Sequence, residues 1–230
     1  MTSNGFIFTN TNNEEKVIEI DDATNTIDFQ QLNISTPSIS NKEYVARFKP
    51  VDKEALEIAV QDWGSGDPVT RATAIATYGE INTWDTSLIT DMSNLFDGAV
   101  DFNDDISSWN TSSVTSMEEM FFMANSFNQD ISSWDVGEVI SMRSAFNSAT
   151  AFNQDISSWN TSKVDSMRSM FSQASAFNQN LSAWDVAAVT TFQSMWTLST
   201  TMLGQNGYAN RLAIHAAWNG NANWTYQWGS

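Results

Sequence analysis

A tryptophan returns every 25 residues between Ile81 and Leu203, at Trp84, Trp109, Trp134, Trp159 and Trp184. A fixed period of this size marks stacked supersecondary units, each too small to bury an apolar face alone. Whole columns keep the same register. Three residues before each tryptophan stands Ile81, Ile106, Ile131, Ile156 or Leu181, and five after it Ile89, Val114, Val139, Val164 or Val189. At +8 come Met92, Met117, Met142, Met167 and Phe192; at +12 come Phe96, Phe121, Phe146, Phe171 and Trp196. Phe102, Phe127, Phe152 and Phe177 occupy +18, with Met202 in the last unit.

Positions +8, +11, +12 and +15 follow the i, i+3, i+4, i+7 spacing of one helix face. Directly before them stand Asp91, Ser116, Ser141, Ser166 and Thr191, all suited to an N-cap, and Thr115 with Glu118, or Ser116 with Glu119, suits a capping box. The residues around each tryptophan are β-prone. The sequence therefore predicts units of strand, turn and short helix, stacked as an α/β repeat solenoid, five units over residues 81–203. The tryptophan column, with Phe121, Phe146 and Phe171, is expected to be core and not a ligand platform. Asn103, Asn128, Asn153 and Asn178 follow the +18 aromatic and are expected to be hydrogen-bonded corners.

The flanks differ. Residues 1–49 hold short β-prone runs such as Gly5-Phe6-Ile7-Phe8 and Val17-Ile18-Glu19-Ile20, which predict an arm or small attachment domain for an assembly partner. Residues 50–80 predict a helical N-terminal cap: Asp52 starts a helix that runs to Trp63, and a weaker one ends at Tyr78-Gly79. Residues 204–230 predict an aromatic C-terminal cap, with a helix over about 209–218 and a strand from Asn223 to Trp228.

Twenty-seven acidic residues against ten basic ones give a formal charge of −17, a surface that repels phosphate backbones and anionic membranes. Nucleic acid and membrane insertion are excluded as partners on that reading, and no run of 18 apolar residues occurs. With no cysteine there is no disulfide, thiolate metal site or thiol nucleophile. The one histidine, His215, lies in the expected cap helix and reads as structural. No catalytic set and no cofactor are expected. The Asp105, Asp130 and Asp155 column is a weak Ca²⁺ candidate, but no EF-hand loop accompanies it. The N-terminus shows no basic region followed by an apolar run, so no signal peptide is expected.

The pattern F-N-Q-D-I-S-S-W-[DN]-[TV]-S-x-V-x-S-M-x-x-M-F resembles the DUF285 repeats of BspA-type leucine-rich-repeat surface proteins. The lead-in from Leu56 to Trp63, then Tyr78-Gly79 and Trp84-Asp85, resembles the segment that precedes such repeats. The resemblance implies a curved solenoid on a surface lipoprotein or adhesin-like protein, with no established catalytic residues. Binding determinants are expected where columns vary: Glu118, Glu119, Arg143 and Arg168 on the outer face, with Phe122 and Met123 where the polar pattern breaks. The expected function is a non-enzymatic binding or adhesion module for a protein or glycan, extracellular or on a cell surface. The alternative is a structural or receptor-binding component of a virion, phage tail or secreted particle.

Overall fold

The computed structural model describes residues 5–9, 15–19 and 46–225. Three short strands open the chain: β1 (Gly5–Thr9), β2 (Glu15–Glu19) and β3 (Ala46–Lys49). They form an antiparallel sheet in the order β2-β1-β3, with Phe6 opposite Ile18 and Phe48. The β-prone run over residues 25–35 lies outside the described residues, and so do Tyr226 to Trp228 of the expected final strand.

Two helices follow. In α1 (Lys53–Trp63), Asp52 accepts from Ala55 N at 2.9 Å, and Leu56, Ala59, Val60 and Trp63 turn inward. In α2 (Pro68–Tyr78), proline opens the first turn, where its missing N–H has no role. Asp67 caps that turn, and Gly79 leaves it at φ 73°, a left-handed conformation that glycine takes without strain.

From Trp84 to Ser199 the chain runs as five coils, and neither the short helices nor the strands expected there form. Adjacent coils are joined by single parallel β-bridges: Asp91 to Ser116, Ser116 to Ser141, Ser141 to Ser166, and Ser166 to Thr191. The amides explain why no helix forms. At +8, +10, +12 and +14 they donate to the next coil, as Met117 to Ser141 O, Glu119 to Arg143 O, Phe121 to Ala145 O and Met123 to Asn147 O at 2.9–3.0 Å. At +11, +13 and +15 they close local turns, as Met120 to Met117 O, Phe122 to Glu119 O and Ala124 to Phe121 O.

Such alternation needs left-handed residues at +10 and +14. Asn94, Glu119, Ser144, Ser169 and Ser194 hold φ of 54–61°, and Gly98, Met123, Ser148, Gln173 and Leu198 hold 57–68°. Overlapping turns still send +8, +11, +12 and +15 inward, so the burial pattern of a helix appears without one. The serines expected as N-caps are bridge residues, and the capping boxes are absent because the chain is not helical there. Ser116 Oγ instead accepts from Glu118 N at 3.4 Å.

Inside, like stacks on like. The +12 aromatics Phe96, Phe121, Phe146, Phe171 and Trp196 follow one another at centroid spacings of 5.1–5.7 Å. Phe102, Phe127, Phe152 and Phe177 form a second file at 5.8–5.9 Å. Trp84, Trp109, Trp134, Trp159 and Trp184 are all buried. From the second coil on, each indole N–H donates to the carbonyl 28 residues earlier, from Trp109 to Ile81 O through Trp184 to Ile156 O. A buried indole gains from such an acceptor, and this bond fixes ring orientation as well as position.

Both ends are closed by aromatic side chains. At the first coil Phe48 lies 5.2 Å from Trp84, its carbonyl accepts from Asp85 N, and Lys49 pairs with Asp85. A boundary at residue 49 would therefore divide β3 from the coil it packs on. Asp104 accepts from Trp63 Nε1 at 2.8 Å and pairs with Arg71, whose guanidinium lies over the Trp63 ring. Replacing Asp104 by alanine should cost about 1–3 kcal/mol, because it leaves that indole N–H without its acceptor; a denaturant titration checks it. At the other end come α3 (Thr200–Leu203), a short 3₁₀ turn (Gln205–Gly207) and α4 (Tyr208–Trp218). There Trp218 stacks on Trp184 in line with the tryptophan file, although its buried N–H has no hydrogen-bond partner among the described residues, and Trp224 meets Trp218 edge-on.

Candidate partner-binding face

Three polar rows cover the coils, and two of them repeat the same internal hydrogen bonds from coil to coil. The asparagine corner is a continuous ladder: Asn128 N donates to Asn103 Oδ1, Asn153 N to Asn128 Oδ1 and Asn178 N to Asn153 Oδ1, at 2.8–2.9 Å. Gln129, Gln154 and Gln179 donate to the main-chain carbonyls of the same asparagines. Asn210 of α4 ends the ladder on Asn178. This row holds coils together through amides that no sheet or helix uses.

The aspartates are turn formers. Asp105, Asp130 and Asp155 each accept from the N–H two residues on, at Ser107, Ser132 and Ser157. Those bonds, from N–H and hydroxyl of the same serines, hold the three carboxyls below the ordinary value, with burial opposing weakly. The residues after tryptophan do the same, as Asp85 to Ser87 and Asn110 to Ser112. Among the described residues no three His, Asp or Glu side chains converge as a metal set. Adding Ca²⁺ or EDTA should leave the melting temperature within about 1 °C, because a ligand bound only to the folded state would raise it.

Burial pushes the Asp85 and Asp91 carboxyls up, yet the N–H and hydroxyl of Ser87 and Ser93, with the ammonium groups of Lys49 and Lys53, hold them low. A carboxylate with a lowered folded pKa stabilises fully above its unfolded value, about 3.9, and loses that contribution as pH falls through the folded value. The melting midpoint should hold down to about pH 4 and fall below it. A midpoint that rises steadily to about pH 2 would mean that relief of the −17 charge outweighs turn capping.

The third row is the bridged face, and its side chains vary from coil to coil. At +6 stand Thr90, Thr115, Ile140, Asp165 and Thr190, all exposed; at +9 stand Ser93, Glu118, Arg143, Arg168 and Gln193. Their backbone is fixed by the bridges, so each side chain is carried outward from a set position. Glu118 accepts from Ser141 Oγ at 2.6 Å, and Arg143 reaches Glu118 at 3.9 Å and Glu119 at 3.5 Å. Arg168 is exposed and has no ion pair among the described residues, although its carbonyl accepts from Ser144 N at 2.8 Å. Two guanidinium groups thus stand in register on adjacent coils, an arrangement that like charges disfavour.

Glu118, Glu119, Arg143 and Arg168 therefore share one face. Met123 is 45% exposed while Phe122 is half-buried, and Ile140 is 49% exposed in the +6 row. The residue that the sequence reading missed is Ile140, whose signal was an apolar side chain in a Thr and Asp column. His215 accepts from Trp224 Nε1 at 3.1 Å through Nδ1, a tie within the C-terminal cap.

A family model described as Mycoplasma protein of unknown function, DUF285, matches residues 69–155 and 134–211. No curated protein and no solved structure matches the chain. No helix among the described residues is long and apolar enough to cross a membrane.

Proposed function

We propose that this chain, which belongs to the DUF285 family, is a non-enzymatic binding or adhesion module. In this reading it is a leucine-rich-repeat-like solenoid, displayed at a cell surface, that recognises a protein or glycan through the bridged face. The supporting observation is the contrast between rows: the buried columns repeat almost unchanged, while +6 and +9 differ in charge and polarity from coil to coil. Packing fixes the first, while the coils stack alike whichever residue stands at the second, so the second is free to carry recognition.

Beads coated with the whole protein should be retained on cell or matrix surfaces above albumin-coated beads. The pair Arg143→Glu and Arg168→Glu should lower that retention tenfold or more, about 1.4 kcal/mol. The melting temperature should barely move, since exposed substitutions usually stay within about 0.5 kcal/mol. Unchanged retention by the double variant, or wild-type retention no better than albumin, would remove the reading. A second reading, attachment to a particle through the N-terminal strands, is supported by the docking of Phe48 on Trp84. It is tested by deleting residues 1–45, which leaves β3 in place and should abolish incorporation into the particle; incorporation that survives the deletion rejects it.

A further inference from the structure

In the first four coils the amides at +8 and +10 are consumed by the next coil. Met92, Met117, Met142 and Met167 donate to the carbonyls of Ser116, Ser141, Ser166 and Thr191 at 3.0 Å. Asn94, Glu119, Ser144 and Ser169 donate to those of Glu118, Arg143, Arg168 and Gln193 at 2.8–2.9 Å. The corresponding groups of the fifth coil are Phe192 N and Ser194 N, and neither has a hydrogen-bond partner among the described residues. The C-terminal cap serves other groups of this coil. Asn221 Nδ2 donates to Val186 O and Val189 O at 2.6 and 3.0 Å, and Asn223 Nδ2 donates to Val189 O at 3.2 Å.

Between cap and coil lies an open cavity of about 520 Å³. Residues 190–194 form one wall and Ala222, Asn223 and Thr225 the other. None of these residues is ionisable, in a chain of formal charge −17. Two donors on alternate residues, without a partner among the described residues and in line with a ladder already built four times, form an edge that pairs with extended backbone. An uncharged groove of this kind reads main chain and offers no charge for an anionic or cationic ligand to meet.

We infer that this edge takes an extended segment of a protein partner as a sixth rung, its alternate carbonyls accepting from Phe192 N and Ser194 N. The inference rests on the reading of the chain as a binding module and narrows the partner to a protein with an accessible extended stretch. The incoming segment runs parallel to residues 190–194, because every rung of the existing ladder is parallel.

The probe is an acetylated, amidated peptide with the sequence of residues 165–173, itself a rung of this ladder, against a scrambled control. Amide exchange is followed by NMR on the whole chain. In the free protein Phe192 and Ser194 should exchange at least tenfold faster than Met167 and Ser169; the peptide should slow them tenfold or more, and the scrambled sequence should not. Three results overturn the inference: both amides already as slow as Met167 and Ser169, no slowing at about millimolar peptide, or equal slowing by the scrambled control. Each of these leaves the bead-retention result for Arg143 and Arg168 untouched, so failure here is distinguishable from failure of the binding reading.

Discussion

Trp134→Ala should destabilise the protein by about 3–5 kcal/mol, the range for removing a large aromatic from a packed interior. Trp134 is 4% exposed in the central coil, its ring lies 6.2 Å from that of Phe121, and its N–H donates to Ile106 O at 3.2 Å. Alanine removes the indole and leaves a buried carbonyl without that donor. Trp134→Phe separates the two effects: most of the ring contact remains, and the lost hydrogen bond should cost about 1 kcal/mol. Urea denaturation followed by circular dichroism measures both. An alanine variant within about 1 kcal/mol of wild type would mean that the tryptophan column is not the support of the stack.

Trp218→Ala should cost a similar amount, about 3–5 kcal/mol, but in one place. Trp218 is 1% exposed, lies 6.3 Å from Trp184 and 5.7 Å from Phe192, and meets Trp224 edge-on at 5.0 Å. A stack in which each coil touches only its neighbours frays from the end that loses its cover. Hydrogen exchange should therefore quicken at Thr190 N, which pairs with Asp165 O, well before Thr115 N, which pairs with Thr90 O. Equal loss of protection at both amides would show that the coils unfold as one cooperative body and that the cap has no local role.

The two substitutions differ because the information that places these residues differs. Trp134 is legible as core from its column alone: five tryptophans at one spacing have no better explanation than stacking. Trp218 lies outside the register, and only its position over Trp184 shows that it completes the same column. Asn210 is a parallel case, since nothing in its sequence neighbourhood ties it to the corner asparagines, yet it donates to Asn178. Of the candidate face, Glu118, Glu119, Arg143 and Arg168 were readable as breaks in a repeating pattern. Their mutual ion pairs, and the lack of one for Arg168 among the described residues, depend on how far apart adjacent coils lie.

By itself the sequence determined the period, the inward rows, the two caps and the outward positions, because burial is set by side-chain chemistry and spacing. It did not determine the backbone that carries them. Inward positions at +8, +11, +12 and +15 fit a helix and fit a run of overlapping turns equally well. The choice lies with the amides at +8, +10, +12 and +14, which bond within a helix when a segment is alone and across to the next coil when one is present. Asn94 and Gly98, which tolerate left-handed φ, were the only local hint. Glu119, Met123 and Leu198 take the same conformation without any such preference, because the neighbouring coil supplies the hydrogen bonds that hold them there.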